Sequence, residues 1–207
     1  MLLQDAIEKR RAVKHFIPEG PIDDVLFNEL MEAVILSPTS YNMQNWRFVR
    51  VTDRKLRDDI TLAAWGQSQV SMAAELVILC ADLNAWQTRP MRYFENAPIA
   101  IAEAQVSMMR DFYINKPAVQ RDEAMRSCGI AAQTFMLKAK SLGLDTCPMV
   151  GFDPQKVAQL IQLPDSHIIT MMIALGRAEQ PAHQRGGQLP LNDVLIENRF
   201  SQNTSSI

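Results

Sequence analysis

No stretch of this 207-residue sequence is apolar for long enough to cross a bilayer. Glu8, Lys9, Arg10 and Arg11 interrupt the opening residues, which do not read as a secretory leader. Neither sign of charge dominates: Lys and Arg total 21 against 23 Asp and Glu, a net charge of -2. That balance provides no basic field to recruit nucleic acid. Cysteine is scarce, and Cys80, Cys128 and Cys147 fall at no metal-ligand spacing. Their odd number and apolar surroundings point to reduced thiols in a cytoplasmic protein. His15, His167 and His183 are scattered, so no Ser/His/Asp or Cys/His arrangement and no metal site stand out. A glycine-rich phosphate loop of the dinucleotide-fold or P-loop kind is missing too. Internal repeats and low-complexity linkers are absent, and the length suits one substantial domain better than two.

What is there alternates helical and strand patterns. Residues 3–11 suit a short helix with Leu3, Ala6, Ile7 and Arg10 on one side. Pro18, Gly20 and Pro21 mark a loop, and Asp23 or Asp24 starts a helix running to Leu36, with Val25, Leu26, Leu30, Ala33 and Val34 inward. Pro38 stops it. A strand over 46–51 follows, then a helix capped by Asp53 reaching Trp65, and a buried strand over 76–80. Residues 84–117 have no clean period and read as a helical excursion, either a lid or a groove filler. The strongest helix covers 120–142, with Gly143 as its stop. Strands at 146–150 and 168–175 flank a helix opened by Pro154. Four or five strands among more helices imply an α/β or α+β sandwich around a small sheet.

The most informative stretch is SPTSYNMQNWRF at 37–48. Ser37, Thr39, Ser40, Asn42, Gln44 and Asn45 crowd hydrogen-bonding groups between a helix end and a strand, a place to hold a planar polar ligand. Four further segments stand with it in order: RRAVKHF at 10–16, GQSQV at 66–70, GIAAQTFMLKAKSLGLDTCPMVGFDP at 129–154 and ALGRAEQPAHQRG at 174–186. Together they resemble the FMN-dependent nitroreductase family over nearly the whole chain.

The resemblance implies an α+β fold, a mixed central sheet flanked by helices in one domain over 1–207. It implies an intertwined homodimer with FMN at the subunit interface and NADH or NADPH as co-substrate. Residues 186–207 would pack on the partner subunit, which would cover the apolar residues of that tail. The small-residue face of the 120–142 helix would meet either the partner or its own chain.

Site roles follow from the same resemblance. Arg10 and Arg11 clamp the FMN phosphate, for which guanidinium forks suit the oxygens, or else merely complement a helix C-terminus. Arg185 is a third cation for that phosphate. Lys14 lies at the ring edge that gains negative charge on reduction, or is an ordinary surface lysine. Pro38, Thr39, Ser40 and Asn42 line the ring from the partner subunit, or satisfy local backbone groups. Gln67 and Gln69 offer amides to its pyrimidine edge. Pro148, Met149, Val150 and Gly151 pass beneath the ring near N5, with Val150 where several relatives carry Glu. The implied reaction is hydride transfer from NAD(P)H through flavin N5 to nitroaromatics, quinones or similar electron-poor acceptors, by ping-pong kinetics. A flavin-binding protein without efficient turnover is the alternative.

Overall fold

A computed structural model describes residues 1–200 of the chain. In chain order its regular elements are α1 (Leu3–Lys9), α2 (Asp24–Val34), β1 (Trp46–Arg50), α3 (Arg54–Ala63), α4 (Ser68–Met72), β2 (Glu75–Asp82), α5 (Ile99–Tyr113), α6 (Pro117–Ser141), β3 (Asp145–Met149), α7 (Pro154–Leu160), β4 (His167–Gly176) and α8 (Leu191–Val194). Helix starts are chemically explicit. Asp23, Asp53 and Asp153 each accept a hydrogen bond from a first-turn N–H, those of Val25, Leu56 and Lys156 at 2.9, 2.6 and 3.0 Å. Gly143 takes φ +79 just past α6, where a side chain would be strained.

The strands form one sheet in the order β1-β2-β4-β3. All three pairings are antiparallel. Among the described residues the sheet is thus antiparallel rather than the mixed sheet expected, and one parallel bridge, Ala12 to Thr146, lies outside the named strands. Every residue of β2 is buried, as its central position requires. Pro148 is tolerated because β3 is an edge strand of the four. Between β2 and β4 the register slips at Leu79/Cys80, leaving Thr170 as the extra residue. Its hydroxyl donates to the Leu79 carbonyl at 3.0 Å, and the Cys128 thiol lies 3.5 Å from the Cys80 carbonyl.

One sheet face carries α3 and α7 over Ile60, Val70, Leu76, Ile78, Met149 and Val157. The other carries α2 and α6 over Phe27, Leu30, Val34, Phe135 and Ile173. The inward face of α2 is thus Phe27-Leu30-Val34, and Val25, expected inward, is 77% exposed. Ala131 and Ala132 of α6, with Cys128, are buried in this second core and serve their own chain, whereas Gly129 is only half-buried with open space beside it. The 84–117 excursion is helical: a single 3-10 turn over Pro90–Phe94, then α5. With Met43, Trp86, Tyr93, Met109 and Tyr113 it builds a third small core. No helix among the described residues is long and apolar enough to cross a membrane. The expected tail at 186–207 is described only to residue 200, where Leu189, Leu191, Val194, Leu195 and Phe200 are exposed.

Candidate functional site

Helix α1 ends at Lys9, so Arg10 and Arg11 lie just beyond it rather than within its last turn. The Arg185 guanidinium reaches back to this end and donates to the carbonyls of Ile7, Glu8 and Arg10 at 3.2–3.3 Å. Arg11 donates to the His183 carbonyl. These bonds bring residues about 175 positions apart in sequence into one corner. Burial, then the positive charges of Arg185 and Arg11, hold the Arg10 guanidinium below its ordinary pKa. Among the described residues, none of Arg10, Arg11, Lys14 or Arg185 forms an ion pair. Three mutually repelling cations without a carboxylate make a corner that a phosphate would relieve.

Lys14 is placed by the segment that carries it. Val13 N–H donates to Thr146 at 3.0 Å, and Ile17 N–H to Arg177 at 2.9 Å, stitching residues 12–17 to β3 and to the end of β4. The Lys14 ammonium consequently acts on the Cys147 thiol, whose pKa burial raises and Lys14 partly lowers.

Beside β3, the Gln67 amide donates to the carbonyls of Gly151 at 2.6 Å and Ala64 at 3.1 Å. The buried Gln69 amide donates in turn to Gln67 at 2.9 Å. Gln67 thus reaches the 148–151 turn and Gln69 reaches Gln67, and much of their hydrogen-bonding capacity is spent within the chain. Gly151 is closely covered: a β-carbon there would lie 3.3 Å from the Trp65 ring and 3.6 Å from the Gln67 amide. Glycine at this point lets the Trp65 turn pack this closely on the 148–151 turn. Met149 is buried, while Val150 is 75% exposed. Trp65 escaped the sequence reading, which treated it as a helix end. The available signal was Trp65-Gly66, a large aromatic followed by glycine at a helix terminus.

Pro38, Thr39, Ser40 and Asn42 sit elsewhere. Thr39 accepts from Gln44 N–H at 2.9 Å, and the Asn42 amide donates to the Tyr93 carbonyl at 3.0 Å. Thr39 thus satisfies a local backbone group, whereas Asn42 ties the loop to Tyr93, 51 residues away. Ser40 offers its N–H to Glu123 at 3.4 Å, and Pro38 is exposed. The loop holds Tyr41, Asn42 and Gln44 at φ values of 52, 53 and 46. Such left-handed non-glycine backbone costs on the order of 1 kcal/mol per residue and persists where packing enforces it. Here the Tyr41 ring packs on Phe112 and Tyr113, with centroids 6.3 and 6.2 Å away.

Pro38–Asn42 leads into β1, whereas Pro148–Gly151 leaves β3, and these are opposite edges of the sheet. Three strand spacings of about 4.8 Å separate them by about 14 Å. One chain places Lys14 and the cation corner along the segment bonded to β3 and the glutamines at the turn after β3, with the 38–42 loop at the other sheet edge. No cluster of His, Cys, Asp and Glu suited to a metal occurs among the described residues. The donor set instead fits FMN: cations for a phosphate, with amides and a glycine turn beside β3.

The chain belongs to the nitroreductase family, a family of oxidoreductases, whose sequence profile matches residues 7–177. Protein DrgA of Synechocystis sp. strain PCC 6803 is 44% identical over 196 residues, covering 92% of this chain and 93% of its own length. MhqN of Bacillus subtilis strain 168, provisionally named an NAD(P)H nitroreductase, is 32% identical with coverage of 91% and 95%. The crystal structure of ydfN from Bacillus subtilis, provisionally assigned as a nitroreductase, superposes with a TM-score of 0.88 at 29% identity, covering 93% of this chain and 97% of that one. A provisionally assigned nitroreductase from Exiguobacterium sibiricum, solved in complex with FMN, shares the fold with a TM-score of 0.88 at 21% identity, covering 95% and 97%.

Proposed function

We propose that this chain is an FMN-dependent oxidoreductase that takes hydride from NADH or NADPH and delivers it to nitroaromatics, quinones or similar electron-poor acceptors. The observation that carries the reading is the convergence of Arg10, Arg11 and Arg185 at one corner, next to the segment that holds Lys14 against β3. FMN, when bound, supplies the two-electron chemistry that no side chain here offers. Arg10, Arg11 and Arg185 hold its phosphate. Lys14 supplies a fixed positive charge that favours negative charge in the ring beside it. Gln67 and Gln69 fix the 148–151 turn and present their remaining amide capacity to the ring edge. Pro148, Met149, Val150 and Gly151 form its floor.

Pro38, Thr39, Ser40 and Asn42 complete the site from the partner subunit. Their separation from β3 within one chain supports a homodimer, as do the exposed Ile35 and Leu36 just before them. The tail from 186 as far as Phe200 packs on the partner, residues 84–117 close over the substrate, and the chain acts as one domain in the cytoplasm. Nucleotide and acceptor use the same cleft in turn, which makes the kinetics ping-pong. Purified protein is expected to be yellow, to bleach anaerobically with NADH or NADPH, and to recolour with a quinone. A yellow protein that neither nucleotide bleaches would support the flavin-binding alternative instead; the neutral Val150 beside Gly151 is the feature that favours it.

A further inference from the structure

Burying an indole removes 150–250 Å² of surface from water, so a tryptophan left in solvent invites a reason. Trp46 and Trp86 are 6% and 8% exposed, but Trp65 is 70% exposed. Its presentation is built. Trp65 and Gly66 both take positive φ, 56 and 72, which ends α3 abruptly and turns the ring outward. Trp65 N–H donates to Leu62 at 3.0 Å, and Gly66 N–H to Thr61 at 2.9 Å. Two further bonds tie this turn to the strand end opposite. Asp153 N–H donates to Ala63 at 2.9 Å, and Gln67 bridges Ala64 and Gly151. The indole edge therefore stands at a fixed place, 3.3 Å from where a β-carbon on Gly151 would lie. Val150, 75% exposed, adds an apolar and uncharged flank.

We infer that Trp65 is the stacking platform for the electron acceptor and selects flat, electron-poor rings over acceptors without a flat face. The inference rests on the oxidoreductase reading above. An indole face is electron-rich, so it stacks well against a quinone or nitroarene ring whose electrons are withdrawn. Backbone locking of the turn limits the entropy lost when the ligand arrives. Val150 brings no charge that an arriving neutral acceptor would have to desolvate.

The test uses oxidised, FMN-loaded protein without nucleotide, so that nothing turns over. The dissociation constant of 1,4-naphthoquinone is measured by equilibrium dialysis for wild type, W65F and W65L. W65F is expected to stay within about twofold of wild type, and W65L to bind roughly two- to tenfold more weakly. Emission from Trp65, taken as wild type minus W65F, should be quenched saturably with the wild-type constant; this readout stands even where W65L fails to fold. Equal constants for W65L and wild type, or quenching that does not saturate, overturn the inference. Failure of the broader reading looks different: colourless protein that takes up no FMN ends both. Yellow protein bleached by NAD(P)H whose W65L variant binds naphthoquinone normally ends only the role of Trp65.

Discussion

Arg10 sits where burial and two neighbouring guanidinium groups all oppose its charge. Bringing a phosphate there relieves that repulsion, so affinity for FMN should depend on each cation. Replacing Arg10 by Ala removes a charge-assisted contact worth about 1.5–3 kcal/mol, or roughly a ten- to hundredfold rise in the FMN dissociation constant. Titrating apoprotein with FMN at low and high salt checks this, and the variant should also lose salt sensitivity. Arg185→Gln should fall short of that effect, because Arg185 already spends one nitrogen on helix carbonyls. Arg185 was readable only as a cation in a polar tail, since its partners lie at the other end of the chain. Arg10, Arg11 and Lys14 share a short segment, and the resemblance rather than their spacing assigned them to the cofactor. The thiols offer an independent check. Burial pushes Cys80 up to about 12 and Cys128 to about 11, from an ordinary 9.0. At pH 8 the folded protein should leave a thiol reagent unreacted, with all three thiols released on unfolding. The sign of the linkage is fixed: both groups favour the protonated form when folded. Their stabilisation is whole below pH 9.0 and is lost as pH rises toward about 12, so denaturant midpoints should fall across that window.

Helices were largely readable because their signals are local. Aspartates at 23, 53 and 153, Pro154 and Gly143 act within a turn of themselves. Strand segments were readable too, but not their order or their bulge, which depend on partners far away in sequence. The buried charge at the start of β2 is the clearest case. Glu75 is 1% exposed, yet it accepts from Arg50 at 2.6 and 3.0 Å and from Ile22 N–H at 2.9 Å. Arg50 also pairs with Asp24 at 2.6 Å and lies 4.0 Å over the Phe27 ring. One carboxylate thus joins β1, β2 and the entry to α2. Glu75→Ala leaves Arg50 short of its main partner and Ile22 N–H unsatisfied. A loss of about 3 kcal/mol is expected, at the low end for a broken buried pair because Asp24 remains. Equilibrium urea unfolding measures it. Thr170→Val, which strips the bulge of its hydroxyl, should cost about 1–2 kcal/mol in the same assay.

Two copies are needed for the site as proposed, because the 38–42 loop and the 148–151 turn stand at opposite sheet edges. Sedimentation equilibrium should give twice the chain mass. A chain ending at Gly186, which keeps Arg185 but lacks the apolar tail, should dissociate and hold FMN poorly. The resemblance assigned the tail's apolar residues to a partner subunit, but their exposure as far as Phe200 is a property only the fold shows. The sequence reading missed Trp65 for a related reason: an aromatic at a helix end is normally buried, and only the fold shows this one in solvent. The claim on which the rest depends is that this protein holds FMN and that a nicotinamide nucleotide reduces it. Anaerobic addition of NADH, then NADPH, to the purified protein tests that claim most directly. Visible flavin absorbance that bleaches with one or both is the expected result; a colourless protein that takes up no FMN, or a yellow one that neither nucleotide bleaches, would contradict it.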